Sequence, residues 1–370
     1  MDYKEKFGIL SHAYTSPNFR KLFSDFSVKL KIGDSGIFVN EKISYIDLFK
    51  RYEEMDVDYG IIKDYFRDRK KTFQSAKLAL DSYKDRKYSF KLIGVAQGNS
   101  ISEYIQSYSE QKELGFEIVA IGGLLEKIEK HTHMIRVKND IMLKNVLFAI
   151  KEIYPNDKLF PLGTFSKRRI QFFNQLNVWA SDYKGWIFRY NKNQASLENN
   201  RFKQVRRYLI ENVLNPLQQN NELKLYETKT KTYDNEKKLL IMACGKTKKE
   251  LPGKAINVYD GPSFKIVRNY LKSGNNHLDI KIISAKYGLI DYRDKIIPYD
   301  MKLDTKSAEI YKVAFRSNFK DYSKKYEKIF ILGGRTYQVV VPDEVNAVRA
   351  YGKIGEQLSQ LKNWLNDEKD

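Results

Sequence analysis

Through its first 220 or so residues the chain repeats one pattern, a short apolar run followed by a longer amphipathic stretch. The runs are FGILSH (7–12), KLKIGDSG (29–36), DYGIIKDY (58–65), KLIGVAQG (91–98), EIVAIGG (117–123), KLFPLGT (158–164) and NVWASDY (177–183), with WIFRY (186–190) a candidate eighth. Between them lie helical segments such as FQSAKLALDSY and IMLKNVLFAIKEIY. Strand-then-helix order, repeated, requires parallel strands joined by helical crossovers. Seven or eight such units predict an α/β fold, a small (β/α)8 TIM-like barrel. An open doubly wound sheet is the rival, and no glycine-rich dinucleotide loop supports it.

A helix-like stretch (196–214) then breaks at Asn215-Pro216, and QQNNELKLYETKTKTYDNEKK (218–238) has no apolar periodicity. A second α/β pattern begins at LLIMACG (239–245) and continues with IKIISAKYGLI (280–290) and KIFILGG (328–334). The expected organisation is a barrel domain over 1–217, a linker over 218–237 and a smaller open α/β domain over 238–370.

Charge narrows the partner. Lys and Arg number 66 against 46 Asp and Glu, a net charge of +20. Such an excess favours a polyanion, most simply nucleic acid, because basic side chains displace condensed counterions. The bland alternative is a Lys-rich compositional bias. The single cysteine, Cys244, rules out an internal disulfide and any multi-cysteine zinc site. MDYKEKFGIL has no signal-peptide core, and no run of about 18 apolar residues occurs. The expectation is a cytoplasmic protein with no membrane partner; the sequence does not give its oligomeric state.

In a barrel all strand C-termini open on one face, where chemistry gathers. Run two ends in Asp34, run three in Asp64, run four in Gln97-Gly98, run five in Gly122-Gly123 and run seven in Asp182. One acid after a strand is usually a cap or turn residue. Three acids and an amide at equivalent ends read as a site. One carboxylate can serve as nucleophile or general base, while a second acid and the amide read a polar planar ligand. Glycine pairs let backbone N–H groups approach that ligand.

GVAQG followed by LGFEIVAIGGL resembles the queuine tRNA-ribosyltransferase (tRNA-guanine transglycosylase) superfamily. GDSGIF resembles its aspartate-serine-glycine-glycine-phenylalanine motif, with Ile37 in place of the second glycine. DYGIIKDY, FPLGT and NVWASDY resemble three further family strands, in order, over residues 1–195. The resemblance implies exchange of guanine for a 7-deazaguanine base in a polynucleotide. It implies Asp182 as the nucleophile on the sugar C1′ and Asp34 as general acid/base. Asp64, Gln97 and the backbone of Gly122 and Gly123 would hold the base, with Ser35, Gly98, Leu124, Leu162 and Gly163 lining its pocket. Retention by two inversions needs no cofactor.

The tRNA enzymes carry a three-cysteine, one-histidine zinc site after the nucleophile strand. Here YKGWIFRYNKN follows and has no cysteine, so no metal is expected. His131 and His133 are expected to face solvent on a helix. These departures, and the short chain, resemble the phage and bacterial DpdA-type branch that acts on DNA. DNA is therefore the favoured partner over tRNA, and 7-cyano-7-deazaguanine the favoured base. The target guanine would be flipped out of the duplex, with Phe38, Tyr65 or Tyr183 as candidate stacking residues.

In the second domain Cys244, Lys246 and Thr247 follow the first strand, Lys286 and Tyr287 the second, and Arg335 the third. These are loops where open α/β sheets bind ligands. GKT lacks the earlier glycine of a P-loop. CGKTK and the tyrosine-glycine-leucine run before Pro298-Tyr299 resemble the YaaA-like family. That resemblance implies DNA binding, or conversion of an inserted nitrile to an amide; because a thiolate adds to nitriles, Cys244, the single thiol, is the candidate nucleophile for that step. Cys244 can equally be a small residue packed at a strand end. The rivals to DNA modification are a tRNA transglycosylase and a non-catalytic nucleic-acid-binding protein with a degenerate barrel.

Overall fold

The computed structural model describes residues 8–37, 39, 41–84, 86–125, 127–130, 133–136, 140–182, 207, 210, 211, 215, 238–274 and 278–367, with backbone alone for 127–130 and 133–136. The chain divides into two units. One comprises 1–99, 106–124 and 156–228; the other comprises 100–105, 125–155 and 229–370. The helix-like stretch 196–214, the linker 218–237 and the candidate eighth strand lie largely or wholly outside the described residues.

The first unit is a six-stranded, all-parallel sheet: β1 (Gly8–His12), β2 (Leu30–Asp34), β3 (Tyr59–Ile61), β4 (Lys91–Ala96) and β5 (Ile118–Ile121) in chain order, then β8 (Phe160–Pro161) beside β5. From β1 to β5 each neighbour is the next strand in sequence, as helical crossovers produce. Helices Pro17–Ser24, Tyr45–Glu54 and Arg69–Lys84 make the first crossovers. Ser16 and Ser44 cap the first two, each hydroxyl accepting a backbone N–H. The strands are short and nearly all apolar because they are covered. Over β2 and β3 the cover is Tyr52: a Cβ at Gly33 or Gly60 would overlap its ring, and its hydroxyl donates to the Ile61 carbonyl at 2.6 Å. Phe49 and Phe90 pack against it, and the stacked pair Tyr83 and Tyr88 sets its edges against Phe49.

The seventh run differs from its expectation. Residues 178–182 form no strand. Asn177 takes a left-handed conformation, and the N–H groups of Trp179 and Ala180 both point at the Leu159 carbonyl. Pro161 in β8 has no N–H to extend a ladder; its carbonyl accepts the Thr164 and Ser181 hydroxyls instead. The segment therefore runs beside β8 without regular pairing.

The second unit contains the antiparallel hairpin β6 (Lys127–Lys130) and β7 (His133–Arg136), and helix Ile141–Ile153. His133 thus lies on a strand, not a helix; His131 lies outside the described residues. The main sheet has five strands. β9 (Lys238–Ala243) lies between β11 (Leu278–Ser284) and β14 (Ile329–Leu332), all parallel, with β15 (Val348–Arg349) beyond β14. On the other edge β12 (Gly288–Asp291) runs antiparallel to β11. The run 280–290 is a hairpin: Ser284 Oγ accepts the Tyr287 N–H at 3.1 Å and Gly288 adopts a left-handed φ. β10 (Gly253–Lys254) and β13 (Lys295–Ile296) pair apart from this sheet. Asn145 anchors helix Ile141–Ile153 to the hairpin, donating to the carbonyls of Tyr287 and Leu289. This unit is an open α/β sheet. Among the described residues no helix is long and apolar enough to cross a membrane.

Candidate active site on the first unit

The C-terminal ends of β2, β3, β4 and β5 carry four of the expected groups: Asp64, Gln97 and Gly122 lie together, and Asp34 is near enough to act on the Asp64 charge. Gln97, 2% exposed, follows β4. Its Nε2 donates to Asp64 Oδ2 at 2.5 Å, and its Oε1 accepts the Arg67 N–H at 3.0 Å. Its own N–H donates to Ser107 Oγ. With both ends of the amide engaged, the side chain has one orientation. Asn99 adds a second tie, donating to the Arg67 carbonyl at 2.9 Å. The loop after β3 is thus held by two residues that follow β4, which fixes Asp64 three residues beyond its strand.

Gly122 completes the trio. A Cβ there would overlap Gln97 Nε2 and stand 3.2 Å from Asp64 Oδ2. Only glycine lets the backbone after β5 lie against the amide–carboxylate pair. Gly123 follows in a left-handed conformation, and Leu124 is buried in the core.

Burial pushes the Asp64 carboxyl up to about 6, the Asp34 charge nearby adds to the rise, and the Gln97 hydrogen bond opposes it. Asp34 ends β2, and its Oδ1 accepts the Gly36 N–H at 2.7 Å. Gly36 sits at φ +65°, so the loop bends back over the strand end. Ser35 is buried, as is Gly98.

Asp182 stands farther along the same edge. Its carboxylate Oδ1 accepts the Gly163 N–H, and its carbonyl accepts the Phe165 N–H at 3.2 Å. Leu162 N–H donates to the Ile121 carbonyl, which sets the turn carrying Gly163. Of the candidate stacking residues, Tyr65 has Lys71 Nζ over its ring at 3.8 Å, so one face is covered. Phe38 and Tyr183 lie outside the described residues.

Two contributors carry no motif. Arg67 presents the N–H that orients Gln97, and His12 sits beside Asp34 in register at the end of β1. A polar residue after a strand was the only signal for His12.

On the second unit the parallel strand ends bring up Cys244, Lys286 and the Gly333-Gly334-Arg335 turn. Cys244 Sγ lies 3.3 Å from the Tyr337 hydroxyl. Burial, then the neighbouring sulfur, raise the Tyr337 hydroxyl above its usual range. Tyr259, Ser284 and Tyr299 close a ring of hydroxyl hydrogen bonds of 2.8–3.2 Å. Lys246, Thr247 and Arg335 are exposed. Lys248 Nζ lies over the Tyr299 ring at 4.5 Å. Tyr287 is fully buried, its hydroxyl engaged with the Ile297 backbone, so it belongs to the core. Among the described residues no three His, Cys, Asp or Glu side chains gather as a metal cluster.

A family model described as a family of unknown function (DUF6884) matches residues 239–363, about a third of the chain and all of it in the second unit. No curated protein matches the chain.

Proposed function

We propose that the first unit is a DNA-guanine transglycosylase that exchanges guanine for a 7-deazaguanine base such as 7-cyano-7-deazaguanine. The observation that carries this reading is the Asp64–Gln97 pair seated against the Gly122 backbone, beside Asp34. A carboxylate accepts the N1–H and exocyclic amine of guanine together, an edge that adenine lacks. In this reading Asp182 attacks the sugar C1′ and the bond to guanine breaks. Asp34 supplies the proton that the departing base takes up. The incoming base gives a proton back to Asp34 and displaces Asp182, so configuration is retained. The fold would be a (β/α)8 barrel to which the six described strands belong. The net charge of +20 supports a nucleic-acid substrate, and the second unit would grip DNA or convert an inserted nitrile to an amide.

The test is incubation with radiolabelled guanine and either duplex DNA or tRNA. Label in DNA alone supports the reading. Label in tRNA alone replaces the substrate, and label in neither removes the activity.

A further inference from the structure

We propose that His12 contacts the bound base through Nδ1, from the side of the site opposite Asp64; this rests on the base-exchange reading above. His12 ends β1 and is the register partner of Asp34 in β2. The two strand ends are tied together, the Ala13 N–H donating to the Asp34 carbonyl at 2.8 Å. Asp34 Oδ1 takes the Gly36 N–H, which folds the next turn back toward His12. A Cβ at Gly36 would stand 3.3 Å from His12 Cβ, 3.6 Å from His12 Nδ1 and 3.2 Å from Tyr14 Cβ. Glycine therefore leaves open the space that the imidazole borders.

His12 Nδ1 is shielded from solvent and has no hydrogen-bond partner among the described residues. A buried ring nitrogen without a partner is disfavoured in a finished core. It is tolerated where a ligand supplies the missing donor or acceptor. The position fits a flat bicyclic base. β1 and β3 are two strands apart, roughly 10 Å at the usual spacing, enough for such a base to be hydrogen-bonded at both edges. Asp64 and Gln97 would read one edge, and His12 would meet the other beside Asp34.

The experiment uses the full chain with guanine as the probe. Affinity is measured for wild type, His12→Asn, His12→Gln and His12→Phe, together with the thermal unfolding of each free protein. Asn places its amide close to the position of Nδ1, whereas Gln reaches toward that of Nε2. His12→Gln and His12→Phe are expected to weaken guanine binding about tenfold, the size of one lost neutral hydrogen bond, with His12→Asn recovering most of it. The melting temperatures of the free variants should not fall. In wild type the ¹⁵N resonance of His12 Nδ1 should move on adding guanine. An unmoved Nδ1 signal with guanine bound overturns the inference, as does unchanged affinity in His12→Gln and His12→Phe. Loss of melting temperature without that signal change assigns His12 to the scaffold and also overturns it. A wild-type protein that binds no guanine overturns the base-exchange reading and this inference with it, so the two failures are told apart.

Discussion

Gln97 holds Asp64 by a 2.5 Å hydrogen bond while its other amide atom holds the Arg67 backbone. A carboxylate that is buried, close to a second carboxylate and steadied by a neutral side-chain donor is poised for a ligand that brings two more. Binding such a ligand favours the charged form, so affinity and proton release are linked.

Guanine affinity should therefore depend on pH through Asp64. The free protein's carboxyl titrates at about 6. Above that value it is charged and competent; below it, protonation competes with the base. Affinity is expected to be flat from pH 7 to 8 and to fall about tenfold per pH unit below 6, as measured by calorimetry. The same shift costs stability: the unfolded chain gives up this proton near 4 and the folded state only near 6, so stability falls as the pH rises from about 4 to 6 and the full cost is present above 6. Asp64→Asn should raise stability at pH 7 by on the order of 1–3 kcal/mol, an advantage that vanishes as the pH falls below about 4, while guanine binding is lost.

Gly122→Ala should spare the fold and damage the site. The added methyl would overlap Gln97 Nε2, so the amide must leave Asp64. Guanine affinity is expected to drop by a factor of about 10–100, the range for losing one or more charge-assisted hydrogen bonds. A carboxyl ¹³C titration should show Asp64 moving further upward, because the Gln97 donor, the larger of the two hydrogen bonds that hold it down, has gone.

DNA binding should weaken steeply with salt. Each phosphate neutralised by the basic excess contributes roughly 0.9 to the log–log slope on duplex DNA. Titrations between low and physiological salt are expected to give a slope of several units. A flat response would mean that the +20 charge serves another purpose.

Much of the edge was legible before any coordinates. Asp34, Gln97 and Gly122 stand where an apolar run stops, and alternating runs and helices place those stops on one side of a parallel sheet. The length of β8 and the irregular 178–182 segment were not legible, because NVWASDY is as apolar as a strand. What withholds the ladder is the missing N–H of Pro161 and the hydroxyls of Thr164 and Ser181 taking its carbonyl. The hairpin of β6 and β7 was missed because four-residue strands are too short to show a period. His12 was missed for a different reason. Its meaning lies in the surroundings of one ring nitrogen, set by the turn at the neighbouring strand end.

The central claim is that Asp182, steadied by the Gly163 N–H, is the nucleophile that carries the sugar during base exchange on DNA. The measurement is the rate at which radiolabelled guanine enters duplex DNA with wild type and with Asp182→Asn at equal concentration, with unfolding and DNA affinity measured alongside. The account predicts incorporation by wild type and a loss of several orders of magnitude in the variant, with fold and DNA binding retained. Incorporation at the same rate by both proteins, or no incorporation by wild type, would contradict it.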